Sequence, residues 1–247
     1  MIFRAIAVAL VTLGAAITAS AQRVEVRYAG SLHGPRTGRL FVVFARNATR
    51  EPRLLAGSYG GTAPLFAADV SDWKAGEPAL ITPDTLGYPY ASLRDLPAGE
   101  YSVQAILNVY TKVSRADGHT IWVHWDQWEG QQWNRSPGNL ISEPMTLRWD
   151  PKRKSAIRLT ITKEIPPIAI AADTKWVKRI RIKSPSLTKW WGHDTYIGAT
   201  IVLPKGFDEE PTRQYPTIYS QGHFGEGAPF GFTEERGSET PEQRTAR

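Results

Sequence analysis

The sequence predicts a mainly β protein: an N-terminal antiparallel β-sandwich, then the first strands of a second, incomplete sheet. Three observations carry this. Short runs alternate apolar and polar residues with a period of two, which sets successive side chains on opposite faces of a strand. Gly and Pro turns separate these runs throughout the first two-thirds of the chain. No stretch before residue 165 has the 3.6-residue period of a helix, and no internal repeat is present.

Residues 1–21 fit a secretory signal peptide: Arg4, an apolar run over 5–17, and Ala19-Ser20-Ala21 as a small-x-small cleavage site. Cleavage is expected after Ala21, giving a secreted or periplasmic protein that has no membrane association once the signal is removed. The sandwich is expected over 22–164. In 23–29, Val24, Val26 and Tyr28 alternate with Glu25 and Arg27, a strand; 31–38 reads as a loop and 39–45 as a strand around LFVVF. Between 51 and 95, turn residues predict only short strands and loops. The Leu96-Pro97-Ala98-Gly99-Glu100-Tyr101 turn then leads into the longest alternation, with Tyr101, Val103, Ala105, Leu107 and Val109 on one face. Asp117-Gly118 is a turn signal and predicts a hairpin. Ile157, Leu159 and Ile161 predict another half-buried strand, and Pro166-Pro167 marks 165–175 as a linker.

After the linker, 176–183 and 195–203 are expected to pair as antiparallel opening strands, with Trp190-Trp191-Gly192 between them as a packing plug or a ligand platform. In TYIGATIVLPKGFDEEPTRQYPTIYSQGHFG, Ile197, Ala199, Ile201 and Leu203 fall on one face and Tyr196, Gly198, Thr200 and Val202 on the other. A second short strand is expected at 215–220, ending at Gly222-His223. A strand ending in LPKGFD, an acidic loop and then YPTIYSQGHF resemble the entry to secreted esterases of the α/β-hydrolase fold, enterochelin-esterase-like proteins. The likeness covers 176–232. It implies an incomplete α/β-hydrolase sheet, ester hydrolysis through a serine acyl-enzyme, and an oxyanion-binding turn at Gly222, His223 and Phe224. This chain has Gly-His where many relatives have His-Gly.

Such an enzyme needs a nucleophile elbow, an acid and a histidine, in that order, downstream of the oxyanion strand. Residues 225–247 contain no G-x-S-x-G and no histidine, and 233–247 read as a polar, disordered or severed tail. The expectation is the truncated front of an esterase with no catalytic residues of its own. Ala56-Gly57-Ser58-Tyr59-Gly60 matches a loose elbow, but it precedes the oxyanion strand and no helix follows it, so Ser58 is not taken as a nucleophile.

The other candidate site is HTIWVHWDQWEGQQWN, residues 119–134. Indoles beside carboxylates and amides suit a sugar surface, which points to Trp125, Trp128, Trp133 and Asp126 as glycan-binding residues of an exported β-sandwich module. The competing reading packs Trp122 into the sandwich core and uses the other rings as a wedge against the second unit. His119, His124 and Asp126 match no metal-ligand spacing, and neither metal nor cofactor is expected. The chain has no cysteine, which excludes disulfides and thiolate chemistry. Its net charge of +6 is scattered apart from Lys152-Arg153-Lys154 and 178–183, so nucleic acid is not expected as a partner; an ester or glycan is. Asn47-Ala48-Thr49 and Asn134-Arg135-Ser136 match the glycosylation acceptor, of consequence only in a eukaryotic secretory pathway.

Overall fold

The computed structural model describes residues 22–57, 62–125, 132–221 and 228–234. Residues 1–21, Ser58, Asp126, Trp128, the Gly222-His223-Phe224 turn and nearly all of the tail lie outside them. In chain order the strands of the first unit are β1 (Val24–Tyr28), β2 (Arg36–Ala45), β3 (Leu65–Trp73), β4 (Ala79–Ile81), β5 (Gly87–Tyr88), β6 (Gly99–Val109), β7 (Thr111–Ser114), β8 (Thr120–Val123), β9 (Leu140–Ser142), β10 (Met145–Trp149) and β11 (Ile157–Glu164). β12 (Val177–Lys183), a helix α1 (Pro185–Trp191) and β13 (Tyr196–Val202) follow. The protein is mainly β, as the alternation predicts.

Nine strands form one curled sheet in the order β4-β1-β11-β9-β6-β2-β3-β5, with β10 added to the start of β6. Its neighbours are antiparallel except β1 and β11, which run parallel from Val24↔Ile157 to Tyr28↔Ile161. The curl lets both halves of the sheet share a single core. Val24, Val26 and Tyr28 from β1 and Ile157, Leu159 and Ile161 from β11 join the same cluster as Leu40, Val42 and Phe44 from β2 and Tyr101, Val103, Ala105 and Leu107 from β6. These are the alternating positions of each strand, so the period of two sets the inner face.

Phe44 centres the aromatic part of this core. Phe66, Tyr101 and Trp149 meet it edge to face at centroid distances of 5.8, 5.8 and 5.5 Å, the arrangement the ring quadrupole favours. Trp149 is fully buried, and its indole Nε1 donates to the Leu96 carbonyl at 3.0 Å. Tyr101 Oη donates to the Pro97 carbonyl at 2.8 Å, tying the turn before β6 to the strand it starts. On the outer face, Glu25 accepts from Arg23 at 2.9 Å and lies 3.5 Å from Arg158, its cross-strand partner on β11. The hydrogen bond from Arg23 holds the Glu25 carboxyl below its ordinary range.

β2 over 42–45 and β6 over 103–107 are buried on both faces. Outside them lie the turn Pro52–Leu55 and residues 132–139, and Gln104 and Ile106 are as buried as the core-facing residues of β6. That second cover explains why apolar alternation understates how deep β6 runs. Four segments depart from the sequence expectations. β2 begins at Arg36, inside the expected 31–38 loop, and β3 is a nine-residue strand in a region expected to hold only short ones. The interval between β12 and β13 contains α1. The expected strand at 215–220 is absent: that segment has no ladder pairing among the described residues, and Ile218 and Tyr219 are exposed. Strand-forming residues make a strand only beside a partner.

β12 and β13 pair antiparallel in unbroken register, Val177↔Val202 to Lys183↔Tyr196. Ile180, Ile182, Ile197, Ala199 and Ile201 share one face, with Lys178 at its end opposite Ile201, and Arg179, Arg181 and Lys183 lie on the other. The 165–175 segment carries no regular element, yet it starts firmly: Ile165 is buried and exchanges backbone hydrogen bonds with Gly138 and Asn139 at 2.9 and 2.8 Å.

Candidate functional site

The Trp-rich stretch is held from both sides by local chemistry. At the tip of the β7–β8 hairpin, Gly118 takes a positive φ of 84°, and the Asp117 carboxylate accepts from the Arg115 side chain and the His119 N–H. The Arg115 hydrogen bond is the main reason its carboxyl is pulled down to about 2. The hairpin then leans on α1. Ala116 N–H donates to the Trp190 carbonyl at 2.9 Å, and the Arg115 guanidinium lies 5.9 Å from the Trp190 ring centre.

α1 exists because its ends are capped. Ser184 Oγ accepts from the Leu187 N–H at 3.3 Å, Pro185 opens the first turn, and Gly192 closes the last one in the left-handed region at φ 72°. This combination of N-cap, first-turn Pro and C-terminal Gly is legible in the sequence and was the signal for a helix too short to show a period. It turns Trp191 toward Trp125, whose ring meets Trp191 edge-on at 5.9 Å and the His193 imidazole at 3.9 Å. His124, just before, donates from Nδ1 to the Val109 carbonyl at 2.8 Å.

Of the candidate glycan-binding rings, Trp125 and Trp133 are described, and each has a packing partner. Trp125 packs against Trp191 and His193. Trp133 stacks on Phe41 at 4.1 Å with its planes 20° apart, and its edge lies over Gly57. Asp126 and Trp128 fall outside the described residues. Trp122, which the wedge reading places in the core, is instead 48% exposed on β8.

A second feature, assembled from residues far apart in sequence, is a groove of about 590 Å³ at the end of the sandwich where β2 stops and β6 starts. Three loops form it: 45–56, 62–64 with 89–90, and 132–135. Arg46, Arg50 and Arg135 line it together with Tyr90, Asn47 and Gln132, and no Asp or Glu is among its described lining. No sequence signal marks these residues, because only the β2–β6 pairing brings them to one end.

A buried polar network fixes the groove wall. Gln104 is fully buried; its Nε2 donates to Glu51 at 2.8 Å and to the Ser142 carbonyl at 2.9 Å, and its Oε1 accepts from Arg53 N–H at 3.1 Å. Arg53 pairs with Glu51 at 2.8 Å and donates to the Asn134 carbonyl at 2.5 Å, while Asn134 Nδ2 returns bonds to the carbonyls of Arg53 and Ala56, both at 3.1 Å. The hydrogen bond from Arg53, with one from Gln104 behind it, holds the Glu51 carboxyl below its ordinary value of 4.5. A depressed carboxyl pKa stabilises the fold above the unfolded value, and that contribution is lost as pH falls through the folded value. Gln104→Leu should therefore cost about 2–3 kcal/mol at neutral pH, since three groups lose their partner. It should also flatten the loss of stability on acidification below pH 4.5. Urea melts at pH 7 and at pH 3 check both; equal costs at the two pH values would contradict the linkage to Glu51.

Comparison of the chain with family models, with curated proteins and with solved structures finds no match.

Proposed function

We propose that this chain is the front part of a secreted serine esterase of the α/β-hydrolase type. It supplies an accessory β-sandwich and the opening hairpin of the hydrolase sheet, while nucleophile, acid and histidine belong to sequence beyond it. The observation that carries the reading is the apolar face of β12–β13, which is exposed among the described residues. Ile182 and Ile197 are directly opposite one another and 58% and 54% exposed. A sheet face of isoleucines is built to be covered by another layer. The next segment agrees with this: YPTIYS has strand composition and no ladder partner among the described residues, as a strand awaiting further strands of a hydrolase sheet would have.

The chain alone should give no turnover of p-nitrophenyl acetate above background. Donors aimed at an oxyanion stabilise nothing without a nucleophile to generate one. Extending the chain with the coding sequence that follows Arg247, where this contains a strand and G-x-S-x-G, should restore turnover. Hydrolysis by the chain itself that disappears in Ser58→Ala would overturn the reading. The glycan reading at Trp125, Trp128, Trp133 and Asp126 has less support, because two of its rings already have packing partners.

A further inference from the structure

We propose that the groove at the end of the sandwich is a binding site for a carboxylate-bearing glycan, a chain of uronic acid residues, held by Arg46, Arg50 and Arg135. The inference is independent of the esterase reading, since it concerns a different unit and a different set of side chains.

Charge is the first argument. Three arginines line one concave surface whose described lining contains no carboxylate. Neither Arg50 nor Arg135 has an acidic partner among the described residues, whereas Arg23, Arg39, Arg53, Arg94 and Arg115 are all paired with Asp or Glu. With no carboxylate in the described lining to neutralise them, these arginines give the groove a net positive charge that suits an anion. The second argument is preorganisation. Arg46 is held in place by hydrogen bonds from Nη2 to the Ala98 carbonyl at 3.2 Å and to Tyr101 Oη at 2.8 Å, with its guanidinium 4.8 Å from the Tyr101 ring centre. The Gln104–Glu51–Arg53–Asn134 network fixes the opposite wall, so less ordering cost falls on binding.

The type of anion follows from the rest of the surface. A guanidinium fork matches a planar carboxylate through two parallel hydrogen bonds. Between the arginines, the half-buried Tyr90 ring and the amides of Asn47 and Gln132 offer an apolar plane and hydrogen-bonding groups, which suits the faces and hydroxyls of sugar rings. The volume of about 590 Å³ lies within the range of roughly 300–1,000 Å³ usual for small-ligand sites. A nucleic acid strand would need a series of exposed aromatic rings for its bases, whereas the described lining has only two rings, the half-buried Tyr90 and the buried Tyr101.

The test is affinity electrophoresis and calorimetry of the full chain with polygalacturonate. Neutral galactan, dextran sulfate and single-stranded RNA serve as comparisons, and free galacturonate as a competitor. Polygalacturonate should bind and galactan should not. Arg50→Ala with Arg135→Ala should weaken binding by about tenfold or more, the loss of at least one charge-assisted pair. Lys152→Ala with Lys154→Ala removes the same charge from an exposed region elsewhere and should change binding by less than about twofold. Both pairs of positions are exposed, so circular dichroism should report unchanged folds. Inhibition by free galacturonate assigns recognition to the sugar acid itself. The proposal is overturned if polygalacturonate is not bound, if the two double variants weaken it equally, or if dextran sulfate or RNA binds more tightly than polygalacturonate.

Discussion

Trp149→Ala should lower the melting temperature of the protein by about 10–15 °C. The indole is completely buried against Phe44 and closes β10 onto the start of β6, Trp149 lying opposite Gly99. Truncating a buried Trp to Ala costs about 3–5 kcal/mol through lost contacts and the cavity left behind, and each kcal/mol moves the midpoint of a domain this size by roughly 2–4 °C. The Leu96 carbonyl also loses its donor. Trp149→Phe separates the two contributions. It keeps an aromatic ring against Phe44 and forfeits the hydrogen bond, so about 1–2 kcal/mol should be lost. Differential scanning calorimetry decides the matter: an alanine variant melting within about 3 °C of the parent would mean the core is not centred on this ring.

Gly38→Ala should be comparably damaging, by a different mechanism. Gly38 lies in β2 just after a register shift against β3, and opposite Val109 on β6. A methyl group built on it would run into the Asn108 carbonyl oxygen and the Val109 Cα, both backbone atoms of the neighbouring strand. Main chain cannot move aside as a flexible side chain can, so β2 and β6 would have to separate where they join the middle of the sheet. The cost should be about 3 kcal/mol, at the upper end for overpacking, with the loss concentrated in β2–β6. Hydrogen exchange on the amides of Asn108 and Tyr110 reports it directly, Tyr110 N–H donating to the Thr37 carbonyl at 2.8 Å. Protection unchanged in Gly38→Ala would show that the strands tolerate the extra carbon. By contrast, Gly118→Ala meets no atoms and faces only the strain of its positive φ.

The parts of the fold that were legible in the sequence are those where one face is wet. β1 and β11 alternate cleanly because their outer sides carry Glu25, Arg27, Arg158 and Thr160, and β12–β13 pair in the face assignment read from the alternation. β3, LFAADVSDW, was not legible as a long strand, since its partly exposed alanines and acids give no period. α1 was missed, because Ser184, Pro185 and Gly192 are capping signals and the helix between them is too short to show a period. YPTIYS shows the opposite failure, where propensity is present and a neighbouring strand is not. Of the candidate site, the Trp-rich hairpin could be read as a feature, but not which rings would be covered, because Phe41 and Trp191 approach from distant parts of the chain. The groove left no trace in sequence, as Arg46 and Arg135 become neighbours only through β2, β6 and the network around Gln104.

The parallel pairing of β1 with β11 has a consequence for the order in which the protein can assemble. Gln22 and Ser155, which hydrogen-bond beside this pair, are 133 residues apart. The β2–β3–β6 portion of the sheet joins nearer neighbours and can form while later residues are still being synthesised. β1 must wait for the far end of the unit, and until then Val24, Val26 and Tyr28 lack half of their cover. Long-range closure of this kind slows folding, because its loop entropy must be lost before the contacts form. The first strand to be made is thus the last to be completed, and the intermediate it leaves exposes an apolar, unpaired edge.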